Sequence, residues 1–412
     1  MTGDLDRGAA NRAAALSLAI AYLGFISLGL PDPVAGVAWP SVRSTFALDQ
    51  GSFGLIFIGL GCGYCASGFF GGKLTHLLGL GTLLWISSAL VAAAMLVSGL
   101  APAWSAIVAG SVLWGLGSGG IDAGLNSYVS THFSARHMNW LHACYSLGAT
   151  LGPLMMTAMV AGVGSWRLGY AIVGGVMSLM SVLFLVTRRR WDAPPTIFIA
   201  PAEGNTAHPA EIADHVGLLD TLRRPLVQLQ TVVFFLYVGL EFAVGQWSYT
   251  LLTESRGFSE ERSGSLAAAY YGAIGLGRIV AGMIAPRMGL DRLLRATMVV
   301  ALLGATGYAL ESIPAAGSIG LFLIGLGLAP VFPCLMTQTP VRVGAKYAVH
   351  AVGFQVSAGM LGAALVPSAT GLLVDRYGLE VAPLFAVALA AALLISHETV
   401  LLLIRNRSED AQ

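Results

Sequence analysis

Long apolar runs separated by short polar segments make up almost the whole chain. A bilayer core of about 30 Å needs about 20 apolar residues in one helix, and twelve runs reach that length. They are apolar on every side of the helix, which predicts that lipid surrounds them. The pattern predicts an all-α membrane protein with twelve transmembrane helices, at residues 13–42, 51–77, 79–100, 103–132, 138–163, 166–187, 225–252, 259–287, 290–311, 314–340, 346–375 and 380–404.

Glycines in the first six runs recur in the last six at a constant offset of 210 residues, as Gly29 recurs at Gly239. Such internal repetition is typical of secondary transporters built from two parallel six-helix halves. The long polar segment between the halves is rich in Arg and Pro, which is typical of a linker. We therefore predict an N-terminal six-helix bundle over 1–187, a cytoplasmic linker over 188–224 and a C-terminal six-helix bundle over 225–412.

Composition agrees with a lipid environment and excludes several classes of protein. The chain is 56% hydrophobic and 10% charged, with a net charge of +1. It has no basic domain of the kind that binds nucleic acid, and none of the nucleophile, zinc-protease or phosphate-loop motifs of enzymes. Cys62 and Cys65 have C-x-x-C spacing, but they lie in a glycine-rich helix without two further zinc ligands nearby. We predict no enzyme activity, no cofactor, no metal and no nucleic-acid partner.

The positions of the basic residues predict which way the chain crosses the membrane, because Lys and Arg near helix ends favour the cytoplasmic side. With both termini in the cytoplasm, most of the 22 Lys and Arg residues fall on that side. The outward-facing exceptions are Arg43, Arg167, Arg256, Arg262 and Arg376. The first apolar run lacks a processing site and reads as the first helix. We predict a monomeric, multi-pass protein of a bacterial inner membrane, with cytoplasmic termini.

Four charged side chains, Asp32, Asp122, Glu241 and Arg278, lie inside the predicted transmembrane helices. An ionised side chain there costs several kcal/mol unless it is paired, hydrated or neutralised. A buried acid that takes up a proton on one side and releases it on the other is suited to proton coupling. We predict that role for the three acids, with His142 as a further proton-relay candidate. Arg278 is predicted to have a gating or ion-pair role, with snorkelling toward the cytoplasm as the alternative.

Polar and aromatic side chains in the same helices predict a pocket for a small polar solute. Sugars need aromatic faces for their C–H surfaces and amide or acid partners for their hydroxyls. The helical spacing places Asn126 one turn after Asp122 and puts Asn139 and His142 on a second polar stripe. For each aromatic residue, packing in the core is the alternative. The predicted substrate-binding residues are Asn126, Asn139, Tyr145, Tyr237, Gln246, Trp247, Tyr271 and Gln355.

One short segment gives the chain a resemblance to a known superfamily. Residues 72–79, Gly-Lys-Leu-Thr-His-Leu-Leu-Gly, are similar to the loop motif of the major facilitators. His76 and Leu77 stand where that motif has Asp and Arg. The resemblance covers nearly the whole chain, and it implies the major facilitator fold of two six-helix pseudo-repeats.

A second set of segments is similar to one branch of that superfamily, the fucose permease and sodium-dependent glucose transporter branch. These segments are Gly-Gly-Ile-Asp-Ala-Gly-Leu-Asn at 119–126 and Leu-Tyr-Val-Gly-Leu-Glu at 236–241. The resemblance implies that Asp122 and Asp32 serve proton coupling and substrate binding. The match at Asp32 is looser, since prolines bracket it here.

These observations lead to a functional hypothesis with two alternatives. The chain is expected to move a small polar solute, a sugar or polyol, by proton-coupled alternating access. A proton-coupled exporter of a drug or amphipathic metabolite is one alternative, because the same fold serves both directions. A sodium-coupled sugar symporter is the other, because carboxylates and carbonyls also bind sodium.

Overall fold

The computed structural model describes residues 2–192 and 217–409, and within these ranges all regular structure is helical. A 3₁₀ turn, Gln50–Phe53, precedes the third helix, and a π-helical turn, Ala158–Val163, extends the sixth. The helices of the first half are α1 (Thr2–Gly29), α2 (Val34–Phe46), α3 (Gly54–Leu78), α4 (Leu80–Leu100), α5 (Trp104–His132), α6 (Ala135–Thr157) and α7 (Trp166–Trp191).

The second half follows the predicted linker, of which residues 193–216 lie outside the described residues. Its first long helix ends in a π-helical turn, Leu251–Ser255. The helices of this half are α8 (Leu218–Leu222), α9 (Pro225–Thr250), α10 (Glu260–Met288), α11 (Leu290–Tyr308), α12 (Pro314–Leu328), α13 (Val331–Val343), α14 (Ala345–Tyr377) and α15 (Val381–Glu409).

Eleven helical segments of the described chain are long and apolar enough to cross a membrane. The twelfth predicted span is α11, which has 19 residues. Its first two turns contain Asp291, Arg292 and Arg295. These charges, rather than its length, make α11 less apolar than the other eleven segments. The all-α fold with twelve long helical segments is as predicted.

Two of the predicted spans are broken by short non-helical turns. The first span runs through α1 and α2, with a turn at residues 30–33 that contains Pro31 and Pro33. The tenth span runs through α12 and α13, with a turn at Ala329 and Pro330. Proline lacks the N–H that continues the helical ladder and clashes with the preceding turn, so the prolines favour a break at both places. The sequence analysis predicted continuous helices at both places.

Contacts divide the chain into two compact units. Unit 1 comprises Met1–Leu48 and Ile58–Gly204, and unit 2 comprises Asp49–Phe57 and Asn205–Gln412. The short segment Asp49–Phe57 belongs to unit 2 although it lies in the first half of the sequence. The bundle boundaries drawn from the glycine repeat stay a prediction.

In unit 1, α4 packs against α5 and α7, and α1 packs against α6. The α1–α6 contact is too close for side chains at two positions. A Cβ atom on Gly148 would lie 2.0 Å from the main-chain oxygen of Ile26, and one on Gly29 would lie 2.2 Å from that of Tyr145. Real Cβ atoms do not approach so closely, so the backbone contact requires glycine.

In unit 2, the corresponding first and fifth spans pack in the same way, as α9 against α14. A Cβ atom on Gly362 would lie 2.3 Å from the main-chain oxygen of Phe235, and one on Gly239 would lie 2.4 Å from Val366. Gly239 is the repeat partner of Gly29. The glycine repeat therefore reflects a shared way of packing equivalent pairs of helices.

The segment Asp49–Phe57 is held within unit 2 by specific contacts. The main-chain N–H of Gly51 donates to Asp375 Oδ2 at 2.7 Å. The hydroxyl of Ser368 donates to the main-chain oxygen of Gly54 at 3.0 Å, and the ring of Phe53 packs edge-on against Trp247, with centroids 5.3 Å apart. These contacts fix the segment against α14 and the end of α9.

Candidate functional site

Asp32 lies in the break between α1 and α2 and contacts α6. Tyr145, on α6, donates its hydroxyl hydrogen bond to Asp32 Oδ2 at 2.5 Å. A broken helix is tolerated inside a membrane where other groups satisfy the freed backbone and side chains. The prolines thus place an acid at a helix end within the bundle, and the close α1–α6 packing brings the tyrosine to it.

Asp122, in the middle of α5, has hydrogen-bond donors on both carboxylate oxygens. The hydroxyl of Tyr64, on α3, donates to Oδ2. Asn126, one turn further along α5, donates from Nδ2 to Oδ1 at 2.8 Å. The i, i+4 spacing on α5 and the packing of α3 against α5 assemble this group.

Asp32 and Asp122 are close enough to interact electrostatically, and Tyr64 lies within the same range of both. Tyr64 and Asn126 donate to Asp122, and Tyr145 donates to Asp32, all as neutral groups. Two like charges that share an interior site repel one another, so a proton on either acid relieves the repulsion. Unit 1 therefore contains two acids within its predicted transmembrane helices whose charges interact, and their role in proton coupling stays a prediction.

Two other predicted residues of unit 1, His142 and Asn139, lie on α6. His142, on α6, packs edge-on against Phe25 with ring centroids 5.7 Å apart. Asn139 is exposed near the start of α6. Their roles in proton relay and substrate binding stay predictions.

In unit 2, Glu241, Tyr237 and Arg278 form a second polar group. Tyr237 and Glu241 lie one turn apart on α9, and the tyrosine hydroxyl donates to Glu241 Oε2 at 2.5 Å. Arg278, on α10, hydrogen-bonds with Tyr237, and its charge acts on Glu241. The guanidinium reaches Tyr237 on α9, and the predicted gating or ion-pair role of Arg278 stays a prediction.

Two tyrosines of α10 adjoin this group. Tyr270 donates its hydroxyl to the main-chain oxygen of Glu241 at 2.9 Å, and its ring packs edge-on against Tyr271 at 5.1 Å. A Cβ atom on Gly245 would lie 2.2 Å from the Tyr271 hydroxyl. Glycine at that position therefore lets the Tyr271 side chain reach α9 beside Glu241.

Gln355 lies in a buried amide network between three helices of unit 2. Its Nε2 donates to Gln230 Oε1 at 2.9 Å, and its Oε1 accepts from the Thr339 hydroxyl at 2.9 Å. Gln355 is fully buried. The network joins α9, α13 and α14, and a substrate contact for Gln355 stays a prediction.

Trp247 and Gln246 are buried at the end of α9. Trp247 is 1% exposed and donates its indole N–H to the main-chain oxygen of Pro367 at 3.0 Å. Gln246 is also 1% exposed. The structure thus brings Tyr237, Tyr271 and Glu241 together but leaves these two side chains in the packed interior, and their role in binding stays a prediction.

Sequence reasoning missed three residues that complete these groups: Tyr64, Tyr270 and Gln230. Each is a polar side chain in an otherwise apolar helix. A polar residue in an apolar helix could have been noticed in the sequence, but the sequence does not show which residue its side chain contacts. Among the described residues, no group of three or more His, Cys, Asp or Glu side chains is arranged to hold a metal ion.

Comparisons with known proteins agree with this architecture. The model of the Major Facilitator Superfamily matches residues 14–367. The "Bypass of stop codon protein 6" of Saccharomyces cerevisiae is 21% identical over 387 residues, which cover 87% of this chain and 77% of the yeast protein. The human "Sodium-dependent glucose transporter 1" is 22% identical over 290 residues, covering 60% of this chain and 52% of the human protein.

A solved structure has the same fold. The crystal structure of the transporter FucP in its outward conformation aligns with a TM-score of 0.62 at 16% identity, covering 94% of this chain and 99% of FucP. The predicted resemblance to the major facilitators and to their fucose permease and sodium-dependent glucose transporter branch is confirmed. With the family model matching most of its length, the chain belongs to the Major Facilitator Superfamily and is a multi-pass membrane transporter rather than an enzyme.

Proposed function

We propose that this transporter moves a small polar solute of the sugar or polyol class together with protons. The observation that carries the proposal is the pair of interacting acids in unit 1, Asp32 and Asp122, with neutral tyrosine and asparagine donors. We further propose that it works as a monomer in a bacterial inner membrane, with both termini in the cytoplasm.

The energetics of the acid pair support proton coupling. An ionised carboxylate inside a membrane protein costs several kcal/mol unless it is paired or hydrated. Tyrosine and asparagine lower that cost but do not neutralise the charge. A proton does neutralise it, so each passage between a wet and a dry surrounding favours uptake or release of a proton at Asp32 or Asp122.

The broken first helix supports a solute site at the same place. Discontinuous helices in transporters present free backbone groups and helix ends to substrates and ions. Asp32 lies within such a break, and its tyrosine partner joins it to α6. A solute hydroxyl that replaces the Tyr145 hydroxyl at Asp32 would couple solute binding to the charge of the acid.

The solute class is supported by the side chains and by one relative. Tyr271 is partly exposed and offers an aromatic ring close to α9, one turn from Glu241, and an acid beside an aromatic ring is the mixture that sugars need. Tyr237 and Tyr270 are buried and hydrogen-bond to Glu241. The human relative is named for glucose. These features favour a sugar or polyol over an amphipathic drug.

Sodium coupling is the second candidate, favoured by the name of the human relative. Sodium binds carboxylate and carbonyl oxygens, and the break at residues 30–33 places the carboxylate of Asp32 at a helix end. The two candidates differ in which ion gradient drives accumulation.

The experiment begins with purified protein in a thermal-shift screen of sugars, polyols, organic acids and drugs, because a ligand of the native state raises Tm. Hits then enter counterflow and uptake assays in liposomes. We expect a sugar or polyol to accumulate under an inward proton gradient without sodium. Accumulation driven by sodium alone would select the second candidate, and a screen with only amphipathic drug hits would contradict the proposal.

A further inference from the structure

The deepest basic side chain of the described membrane spans is Arg278, on α10. It lies 18 residues after Glu260 and 10 residues before Met288, which is about 27 Å and about 15 Å along the helix. Such a position is costly for a guanidinium and usually marks a functional site. Its partners are the Tyr237 hydroxyl and the charge of Glu241.

The three side chains are exposed to different degrees. Tyr237 is 2% exposed, whereas Glu241 and Arg278 are partly exposed. The tyrosine therefore forms the closed back of the group, with its hydroxyl between the other two. Glu241 and Arg278 each keep part of their surface uncovered by protein. Because the two opposite charges are adjacent, an ionic ligand that binds one of them also interacts with the other.

We propose that this group binds a carboxylate of the cargo, and that the cargo is an acidic sugar, a polyhydroxylated compound with one carboxylate. A guanidinium offers five N–H donors in a planar fork that matches a carboxylate with two hydrogen bonds. Tyr271 is partly exposed and lies against Gly245 of α9, so it can supply aromatic surface for the sugar ring. The inference rests on the proposed function and specifies its substrate class.

Charge balance assigns a role to Glu241. Without cargo, the positive charge of Arg278 and the negative charge of Glu241 cancel. A cargo carboxylate adds one negative charge, which a low-dielectric site disfavours. One proton from the aqueous buffer restores neutrality: the bond between that proton and the buffer acid breaks, leaving the buffer base in solution, and an O–H bond to a Glu241 oxygen forms while the Arg278 fork turns to the cargo. Cargo anion and proton thus bind together. A phosphate carries up to two negative charges, so one glutamate proton does not balance it.

The test compares acid and neutral sugars of the same shape on the purified protein. Glucuronate and galacturonate are titrated by calorimetry against glucose and galactose, in buffers of different ionisation enthalpy. We expect the uronates to bind about 10- to 100-fold more tightly, with about one proton taken up for each molecule bound. Glucose 6-phosphate serves as the phosphate probe and is expected to bind more weakly than glucuronate.

Variants then assign the effect to these residues. Arg278→Gln is expected to remove the preference for uronates, and Arg278→Lys, which keeps the charge but loses the fork, to retain part of it. Glu241→Gln is expected to bind glucuronate without proton uptake. Size-exclusion profiles check that each variant is folded, and Arg278→Lys keeps the comparison possible if Arg278→Gln is not.

The outcomes separate this inference from the proposed function. Neutral hexoses that bind and accumulate with protons, while uronates bind no more tightly, would overturn the inference and leave the proposed function standing. Equal loss of hexose and uronate affinity in Arg278→Gln would also overturn it. Absence of binding and counterflow for every sugar, acid or neutral, would contradict both.

Discussion

The two units share their packing but differ in how they hold charge inside the membrane. Unit 1 places Asp32 in a broken helix and surrounds its acids with neutral donors. Unit 2 keeps the equivalent helix, α9, continuous and puts Glu241 beside Arg278. Gly29 and Gly152, which set helix contacts in unit 1, recur as Gly239 and Gly362, whereas the charged residues do not recur. The two units therefore share helix packing but differ in the chemistry of their buried polar groups.

The largest expected effect tests the shared helix packing. Gly152 in unit 1 and Gly362 in unit 2 are repeat partners, and an added Cβ atom at either would lie 2.3 Å from a main-chain oxygen, that of Leu30 or of Phe235. We expect Gly152→Ala and Gly362→Ala each to lower the free energy of unfolding by about 1 to 3 kcal/mol or more. Tm in detergent measures this. Gly175→Ala, with nothing within 4 Å of its Cβ, is the matched control. A stable Gly362→Ala protein beside an unstable Gly152→Ala protein would contradict the shared packing of the two units.

The second prediction concerns the amide network that unit 2 has in place of an acid pair. The repeat partner of Tyr145 is Gln355, so unit 2 has an amide where unit 1 has the donor to Asp32. Gln355→Leu leaves the buried Gln230 Oε1 without the hydrogen bond from Gln355, whereas the Thr339 hydroxyl keeps the main-chain oxygen of Leu335 as its partner. We expect a loss of about 1 to 3 kcal/mol of stability, the cost of one buried orphan.

The control for the network is Gln228→Leu, at an exposed position of the same helix α9. Its Tm is expected to stay close to that of the wild type. The informative alternative is a Gln355→Leu protein with unchanged Tm and weakened solute binding. That result would make Gln355 a substrate ligand, as the sequence predicts, and would give the two repeat positions related roles.

The smallest predicted effect uses an ion pair outside the membrane spans. In unit 2, Arg256 and Glu380 pair at 2.8 Å, with the Arg256 side chain 5% and the Glu380 side chain 27% exposed. Burial alone raises the pKa of Glu380, but the hydrogen bonds from Arg256 and Ser255 and the Arg256 charge hold that pKa below its ordinary value. In unit 1, Arg167 instead donates to main-chain oxygens.

A carboxyl with a lowered folded-state pKa stabilises the fold above its unfolded pKa and loses that contribution as pH falls through the folded pKa. We expect Glu380→Gln to cost about 1 kcal/mol at pH 7, and the difference from wild type to shrink below about pH 4. Glu398→Gln, from the exposed pair with Arg295, is the control and should have little effect. A cost for Glu380→Gln that persists unchanged at pH 3 would contradict the ion-pair account.

Much of the fold was predictable from the sequence because apolar length and glycine position both leave direct traces. The predicted helices at 51–77 and 79–100 are found at Gln50–Leu78 and Leu80–Leu100. Glycine marks the helix-to-helix turns, as at Gly79 and Gly289, whose φ angles are +78° and +80°. Residues other than glycine rarely adopt positive φ angles, so glycines between apolar runs predict such turns.

The broken helices and the side-chain partners were not predictable in the same way. Prolines occur inside both broken and unbroken helices here, since α14 continues through Pro367. Whether a helix breaks depends on which neighbours satisfy the freed groups. The contacts from Tyr64 to Asp122 and from Gln355 to Gln230 join residues 58 and 125 positions apart, so they depend on helix rotation and packing.

The most direct test of the central claim, that the acids of unit 1 couple solute to protons, is Asp122→Asn in liposomes loaded with the sugar found by screening. The amide resembles the protonated acid but cannot release a proton. The account predicts that proton-driven accumulation is lost while exchange of sugar across the membrane continues, and that Glu311→Gln, an exposed acid between α11 and α12, behaves as wild type. Normal proton-driven accumulation by Asp122→Asn would contradict the account.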